Sequence, residues 1–138
     1  MSVQYLLDTN ICIYITKYNP PAVREQFMRH TTAELAMSVI TLSELCHGAE
    51  KSKSPKKAFA AIEQLTNAIQ VMPIGSEVAQ QYAKIRATLE QAGQMIGNND
   101  LWIAAHAKAG GWILVTNNES EFKRVAGLKI ENWARNPK

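Results

Sequence analysis

The sequence predicts an α/β fold, a parallel sheet of four to five strands with helices on both faces. Short apolar runs recur at Tyr5–Leu7, Ala36–Ile40 and Trp112–Val115, too brief for helices and bounded by polar residues. Stretches with apolar residues three and four apart separate them, so strands and helices alternate along the chain. A carboxylate or amide stands near each strand-to-helix turn, which is where open α/β sheets bind ligands.

Tyr5–Leu7 reads as a buried strand stopped at Asp8, with a helix from Thr9 or Asn10 through Ile11–Ile15, apolar on nearly every side. Lys17–Pro21 breaks that helix. A short amphipathic helix follows over Ala22–Arg29, with Val23 and Phe27 four apart. After the second strand, Ala36–Ile40, Thr41-x-x-Glu44 fits a capping box for a helix that buries Leu42, Leu45 and Ala49. Pro55 suits a first helical position and opens the Ala58, Ile62, Leu65, Ile69 stripe. Val71–Ile74 is a brief extended piece. Ser76 starts a long helix carrying Val78, Tyr82, Ile85 and Leu89, closed at Ala92-Gly93. The next helix begins at Asn98–Asp100 and stops at Gly110-Gly111. Trp112–Val115 is the most β-prone run, Glu121-Phe122 falls on a short helix, and Leu128–Ile130 is a candidate last strand. The tail from Asn132 to Lys138 is polar apart from Trp133.

The 138 residues suffice for one core, and no repeat or linker interrupts them, so one domain over residues 1–138 is expected. Hydrophobic residues are 46% and charged residues 20%, a globular balance. There is no run long enough for a membrane span and no secretory leader pattern, which points to the cytoplasm. Cys12 and Cys46 show no metal or redox spacing and read as reduced thiols. A net charge of +3 permits a nucleic-acid partner without requiring one. Lys51, Lys53, Lys56 and Lys57 cluster at a helix-to-helix turn, where they are either solvated or steer a polyanion.

The acids share a placement. Asp8 ends the first strand, Glu44 lies in the first turn after the second, and Asp100 lies in the first turn of the helix after Gly97. Asn118 and Glu121 follow strand Trp112–Val115. In a parallel sheet these points face one edge. Asp100 also shares a helical face with Ile103, Ala104 and Ala107, which holds it over the sheet. Grouped carboxylates there are costly unless a cation neutralises them. Oxygen ligands with open positions suit Mg²⁺ or Mn²⁺, which activate water and clamp a phosphodiester. Each residue also has a structural reading: Asp8 as an N-cap, Glu44 as the partner of Thr41, Asp100 as a helix-dipole acid, Asn118 as a turn residue and Glu121 as a solvated one. His47 and His106 are expected to be packed or exposed rather than ligating, and Trp102 to be core or interface.

Four segments together resemble the PIN-domain family, and within it the VapC-type toxins of bacterial type II toxin–antitoxin systems. They are Leu6–Asn10, Thr41–Ser52 with its Glu44-Leu45-x-x-Gly48-Ala49-Glu50-Lys51-Ser52 run, Ile96–Ala107, and Val115–Phe122. The likeness runs from the first strand to Trp133. It implies a three-layer α/β/α PIN-like fold and an endoribonuclease dependent on Mg²⁺ or Mn²⁺. Asp8, Glu44 and Asp100 match the family's core metal-site acids, and Asn10 and Thr116 match polar residues that support them. Asn118 stands where the wider family often has aspartate, with Glu121 as the nearest carboxylate one turn on. The resemblance further implies an RNA substrate, with tRNA a frequent target, an inhibiting VapB-type antitoxin, and a homodimer. The residues alone leave two rivals open. One is a haloacid-dehalogenase-type phosphatase, which needs a second acid where Asn10 stands. The other is a non-catalytic RNA- or partner-binding module with a vestigial acidic pocket.

Overall fold

In the computed structural model, which describes residues 2–135, the first apolar run becomes the central strand of a five-stranded, all-parallel sheet. The strands are β1 (Tyr5–Leu7), β2 (Leu35–Ser38), β3 (Gln70–Met72), β4 (Ile113–Val115) and β5 (Ile130–Glu131), in spatial order β3-β2-β1-β4-β5. Tyr5 pairs with Leu35 on one side and Ile113 on the other. The helices are α1 (Thr9–Lys17), α2 (Pro21–Arg29), α3 (Val39–Glu50), α4 (Pro55–Ala68), α5 (Ser76–Ala92), α6 (Asn98–Gly110) and α7 (Glu119–Phe122).

Strand alternation divides the core into two layers. Leu6, Ala36 and Leu114 face α5, α6 and α7, packing with Val78, Ile85, Leu89, Ile103 and Phe122. Leu7, Leu35, Met37 and Val115 face the other way, packing with Ile11 and Ile15 of α1, Val23 of α2, Leu45 and Ala49 of α3, and Ile62 and Leu65 of α4. The helices therefore cover both faces, as the strand–helix alternation predicts. Ala104, Ala105 and Ala107 are completely buried, and their small side chains let α6 settle close to the sheet and to α5. Gly93 and Gly111 close α5 and α6 in the left-handed conformation, at φ 67° and 70°, which favours glycine.

Several boundaries depart from the sequence reading. The second strand ends at Ser38, and α3 begins at Val39, two residues before Thr41. Ser38 is the N-cap, its Oγ accepting from the Ile40 N–H at 3.1 Å. Thr41 is buried inside the first turn and forms no capping box; Glu44 sits in the second turn rather than the first. A capping box does occur at Thr31 and Glu34, around a single 3-10 turn. α1 buries one side, Ile11, Cys12 and Ile15, rather than nearly all of its surface. The last strand lies at Ile130–Glu131, sharing Ile130 with the expected Leu128–Ile130 and shifted toward the C-terminus. The tail from Asn132 is described only to Arg135, and its remaining positions lie outside the described residues, as does Met1. Trp133 is not an outlier on a polar tail: it is 2% exposed and stacks on His30 with ring centroids 5.1 Å apart.

His106 is structural, as expected. Burial pulls its pKa below the usual value, and one ring nitrogen meets the Pro73 carbonyl. Its Nδ1 lies 2.8 Å from Ser38 Oγ. A neutral ring that donates to Pro73 leaves Nδ1 to accept from the Ser38 hydroxyl, whose lone pair takes the Ile40 N–H. Trp102 packs face to face on Tyr82 at 3.9 Å. No helix among the described residues is long and apolar enough to cross a membrane.

Ser38 thus carries both a helix cap and a buried histidine, so Ser38→Ala should destabilise the fold by about 1–3 kcal/mol. Urea unfolding followed by circular dichroism measures this, and a loss below about 0.5 kcal/mol would contradict the linkage.

Candidate active site

Strand order reverses at β1. β2 and β3 extend to one side, and β4 and β5 to the other. The crevice outside the carboxyl ends of β1 and β4 is therefore the topological switch point, where α/β sheets open a binding site. Asp8 occupies it. The residue is 5% exposed, and as N-cap of α1 its Oδ1 accepts the Ile11 N–H at 3.0 Å. The Asn10 backbone N–H and the Thr116 hydroxyl also reach its carboxylate. Thr116, fully buried just past β4, in turn accepts the Asn118 N–H at 2.9 Å.

Glu44 comes to the same place from α3. One carboxylate oxygen accepts from the Thr9 hydroxyl, which lies 3.2 Å from that of Thr41. The other accepts from Asn99 Nδ2 at 3.3 Å. Three helices thus fix this acid. Asp100, half-buried in the first turn of α6, completes a cavity of about 220 Å³ lined by Asp8, Thr9, Asn10, Glu44, Asp100, Asn118 and Phe122. Asn10 contributes an exposed side chain at its rim.

Glu121 stands beside this cavity rather than in its lining. Its carboxylate accepts the Gly97 N–H at 2.7 Å and the Asn118 side-chain amide, and also meets Asp100. It thereby ties the loop before α6 to the turn after β4. Thr116 lies one layer behind the lining. Neither Thr9 nor Asn99 is prominent as a candidate ligand in the sequence, yet both hold Glu44. Their position next to Asp8 and Asp100 is the signal that would have found them. His47 is exposed on α3, and both cysteines are free thiols.

The electrostatics follow from burial and crowding. Burial pushes the Asp8 carboxyl up from 3.8 to about 6; the bonds from Thr116, Ile11 and Asn10 oppose this, and the Glu44 charge adds to it. Asp100 is pushed from 3.8 to about 7, by burial first, then by Glu121 and the charges of Asp8 and Glu44. Burial also acts upward on Glu121, but hydrogen bonds from Gly97, Asp100 and Asn118 outweigh it and hold this acid low. Asp100 therefore carries the proton of the pair and donates it to Glu121. Among the described residues, no three His, Cys, Asp or Glu side chains stand close enough together to hold a metal ion as they are placed.

Residues 5–128 match the PIN domain family. The chain is 42% identical to the tRNA(fMet)-specific endonuclease VapC of Shigella flexneri over 132 residues, 96% of this chain and 99% of that protein. It is 40% identical to ribonuclease VapC2 of Haemophilus influenzae over 131 residues, covering 95% and 98%. Among solved structures, the DNA-bound VapBC complex of Salmonella typhimurium superposes with a TM-score of 0.89 at 39% identity, covering 95% of this chain and 98% of the other. VapBC-1 of nontypeable Haemophilus influenzae gives 0.87 at 37%, covering 96% and 100%. A family match over most of the chain and near-full-length relatives near 40% identity agree with the switch-point geometry: the chain belongs to the PIN-domain family, in its VapC branch.

Proposed function

We propose that the chain is the toxin of a toxin–antitoxin pair: an endoribonuclease that hydrolyses tRNA with Mg²⁺ or Mn²⁺, acts in the cytoplasm as a homodimer, and is held inactive by a VapB-type antitoxin. The observation that carries this reading is the gathering of Asp8, Glu44 and Asp100 around one cavity, with two of them held above the ordinary carboxylate range. The names of relatives similar over nearly their whole length support RNA, and tRNA in particular, as the substrate class. Solved VapBC relatives support the antitoxin partner.

The donor set fits a hard divalent cation. It offers carboxylate oxygens and the Asn118 amide, with no thiol or imidazole in the lining. A partial ligand set suits Mg²⁺, which keeps several of its own waters. Asp8, Glu44 and Asp100 would hold it. When bound, the cation supplies charge neutralisation at the scissile phosphate and lowers the pKa of a water. The protein's own part is orientation. Thr116 fixes Asp8, and Thr9 and Asn99 fix Glu44. Glu121 holds the Asp100 loop against Asn118. Such outer bonds set ligand direction and are worth about 10–100-fold in metal affinity or activity. The lining contains no histidine, lysine or cysteine to form a covalent intermediate.

Asp8→Asn and Asp100→Asn should each lower tRNA cleavage by at least about 100-fold, with Thr116→Val intermediate. Denaturing gels of tRNA incubated with Mn²⁺ or with chelator read this out. Cleavage that survives in chelator or in Asp100→Asn would remove the metal-dependent reading.

Stability should report the same charges. Both acids bind protons more tightly folded than unfolded, so the stability present below the ordinary value of 3.8 is lost as pH rises towards about 6 for Asp8 and about 7 for Asp100. In chelator, Tm should therefore be higher at pH 5 than at pH 8. Added Mg²⁺ should restore it at pH 8, and Asp100→Asn should flatten the profile. Because the lowered pKa of His106 favours the higher pH, the assignment is read from the difference between the native chain and Asp100→Asn, and a metal-free profile unchanged by that substitution would contradict it.

A further inference from the structure

Glu44 is a wall between two cavities. One is the acidic cavity above. The other is larger, about 420 Å³, and lies between α1, α3 and α4. Its floor is aliphatic, with Ile13, Leu45, Ala49, Ala58 and Ile62. Its rim carries Lys17 and Lys57, both exposed and neither paired with a carboxylate among the described residues. Ser52 and Ser54 add hydroxyls at the same rim. Lys51, Lys53 and Lys56 lie on the adjoining turn and first helical residues and extend the basic edge.

Gly48 is the second observation. It lies inside α3, where glycine weakens a helix by about 0.5–1 kcal/mol relative to alanine. Its φ is ordinary, so no turn demands it. A Cβ built there would meet nothing within 4 Å, so no close packing demands it either. What it does is leave the wall of this cavity bare.

We propose that this cavity is a nucleotide subsite. On this reading one nucleotide of the RNA, beside the phosphate at the acidic cavity, places its base and ribose on the aliphatic floor, while Lys17 and Lys57 hold the phosphate on its other side. The inference rests on the ribonuclease reading above. Both cavities border Glu44, so a strand lying across the acidic cavity reaches the larger one on the other side of that side chain. Charge favours a polyanion: cations stand on the far rim, and the acids stand where a cation is expected. The floor has no aromatic side chain, so the base is held by shape and burial rather than by stacking, which suits a single splayed-out nucleotide of a loop.

The test uses tRNA binding in chelator, followed by fluorescence anisotropy, so that it does not depend on cleavage. Gly48→Leu should fold with an unchanged or higher Tm, because leucine is a good helix former, yet weaken tRNA binding at least tenfold by filling the cavity. Gly48→Ala should stay within about threefold. Lys57→Ala should weaken binding and reduce the slope of log affinity against log salt by about 1. If cleavage fails in every form but Gly48→Leu still loses binding, the subsite stands and the nuclease reading falls. If folded Gly48→Leu binds tRNA as the native chain does, the proposal is overturned and the cavity is left to a polypeptide partner.

Discussion

A carboxylate at the end of the central strand is the constraint on which the rest depends. β1 is flanked on both sides and covered on both faces, so Asp8 emerges from the centre of the molecule with little water around it. An ionised acid is costly there. The surrounding structure offsets part of that cost with the Ile11 and Asn10 amides and the Thr116 hydroxyl. The remainder appears as a raised pKa, and it is this unspent affinity for positive charge that a bound cation would satisfy. The same feature makes the residue a good helix cap. Cap and candidate ligand are two uses of one side chain.

The second acid is held in a different manner. Glu44 is one turn further from the sheet than a capping residue would be, and its aim comes from its neighbours. Thr9 on α1 and Asn99 on α6 grip one oxygen each. Since α1 and α6 belong to opposite layers, Glu44 joins the two halves of the core across the mouth of the site. Glu121 does the corresponding work beneath Asp100 through Gly97 and Asn118. The fold therefore delivers the acids roughly, and a small set of amides and hydroxyls sets their direction.

Much of this is legible in the sequence because it depends on local pattern. The apolar runs locate the strands, the three- and four-residue spacing locates the helices, and a parallel sheet then places Asp8, Glu44 and Asp100 on one edge. Pro55 and Gly93 mark helix ends through backbone chemistry that no partner is needed to supply. What escapes is whatever tertiary contact decides. Thr41-x-x-Glu44 has the form of a capping box, but Ser38 captures the cap because its hydroxyl is also held by His106, far away in sequence. Trp133 reads as an isolated aromatic until His30 and Tyr5 are seen beside it. Glu121 is a candidate from its spacing, but the groups it binds show only when the Gly97 amide and Asn118 are seen beside it.

The pairing of Tyr5 with Ile113 across β1 and β4 has a consequence for how the molecule forms. It joins segments near opposite ends of the chain, a contact of very high sequence separation, and such contacts come late and slowly because their loop entropy must be met first. Asp8, Glu44 and Asp100 are equally dispersed along the chain, so the unfolded polypeptide has no local cluster of carboxylates with which to chelate an ion. A divalent cation held by these three acids would therefore discriminate sharply between the two states, its binding added almost entirely to the native side of the equilibrium. Mutual repulsion among the acids is likewise absent until the sheet closes. The chain can collapse and pair its strands without electrostatic opposition, and meets that opposition only when the sheet has brought the three acids to one edge.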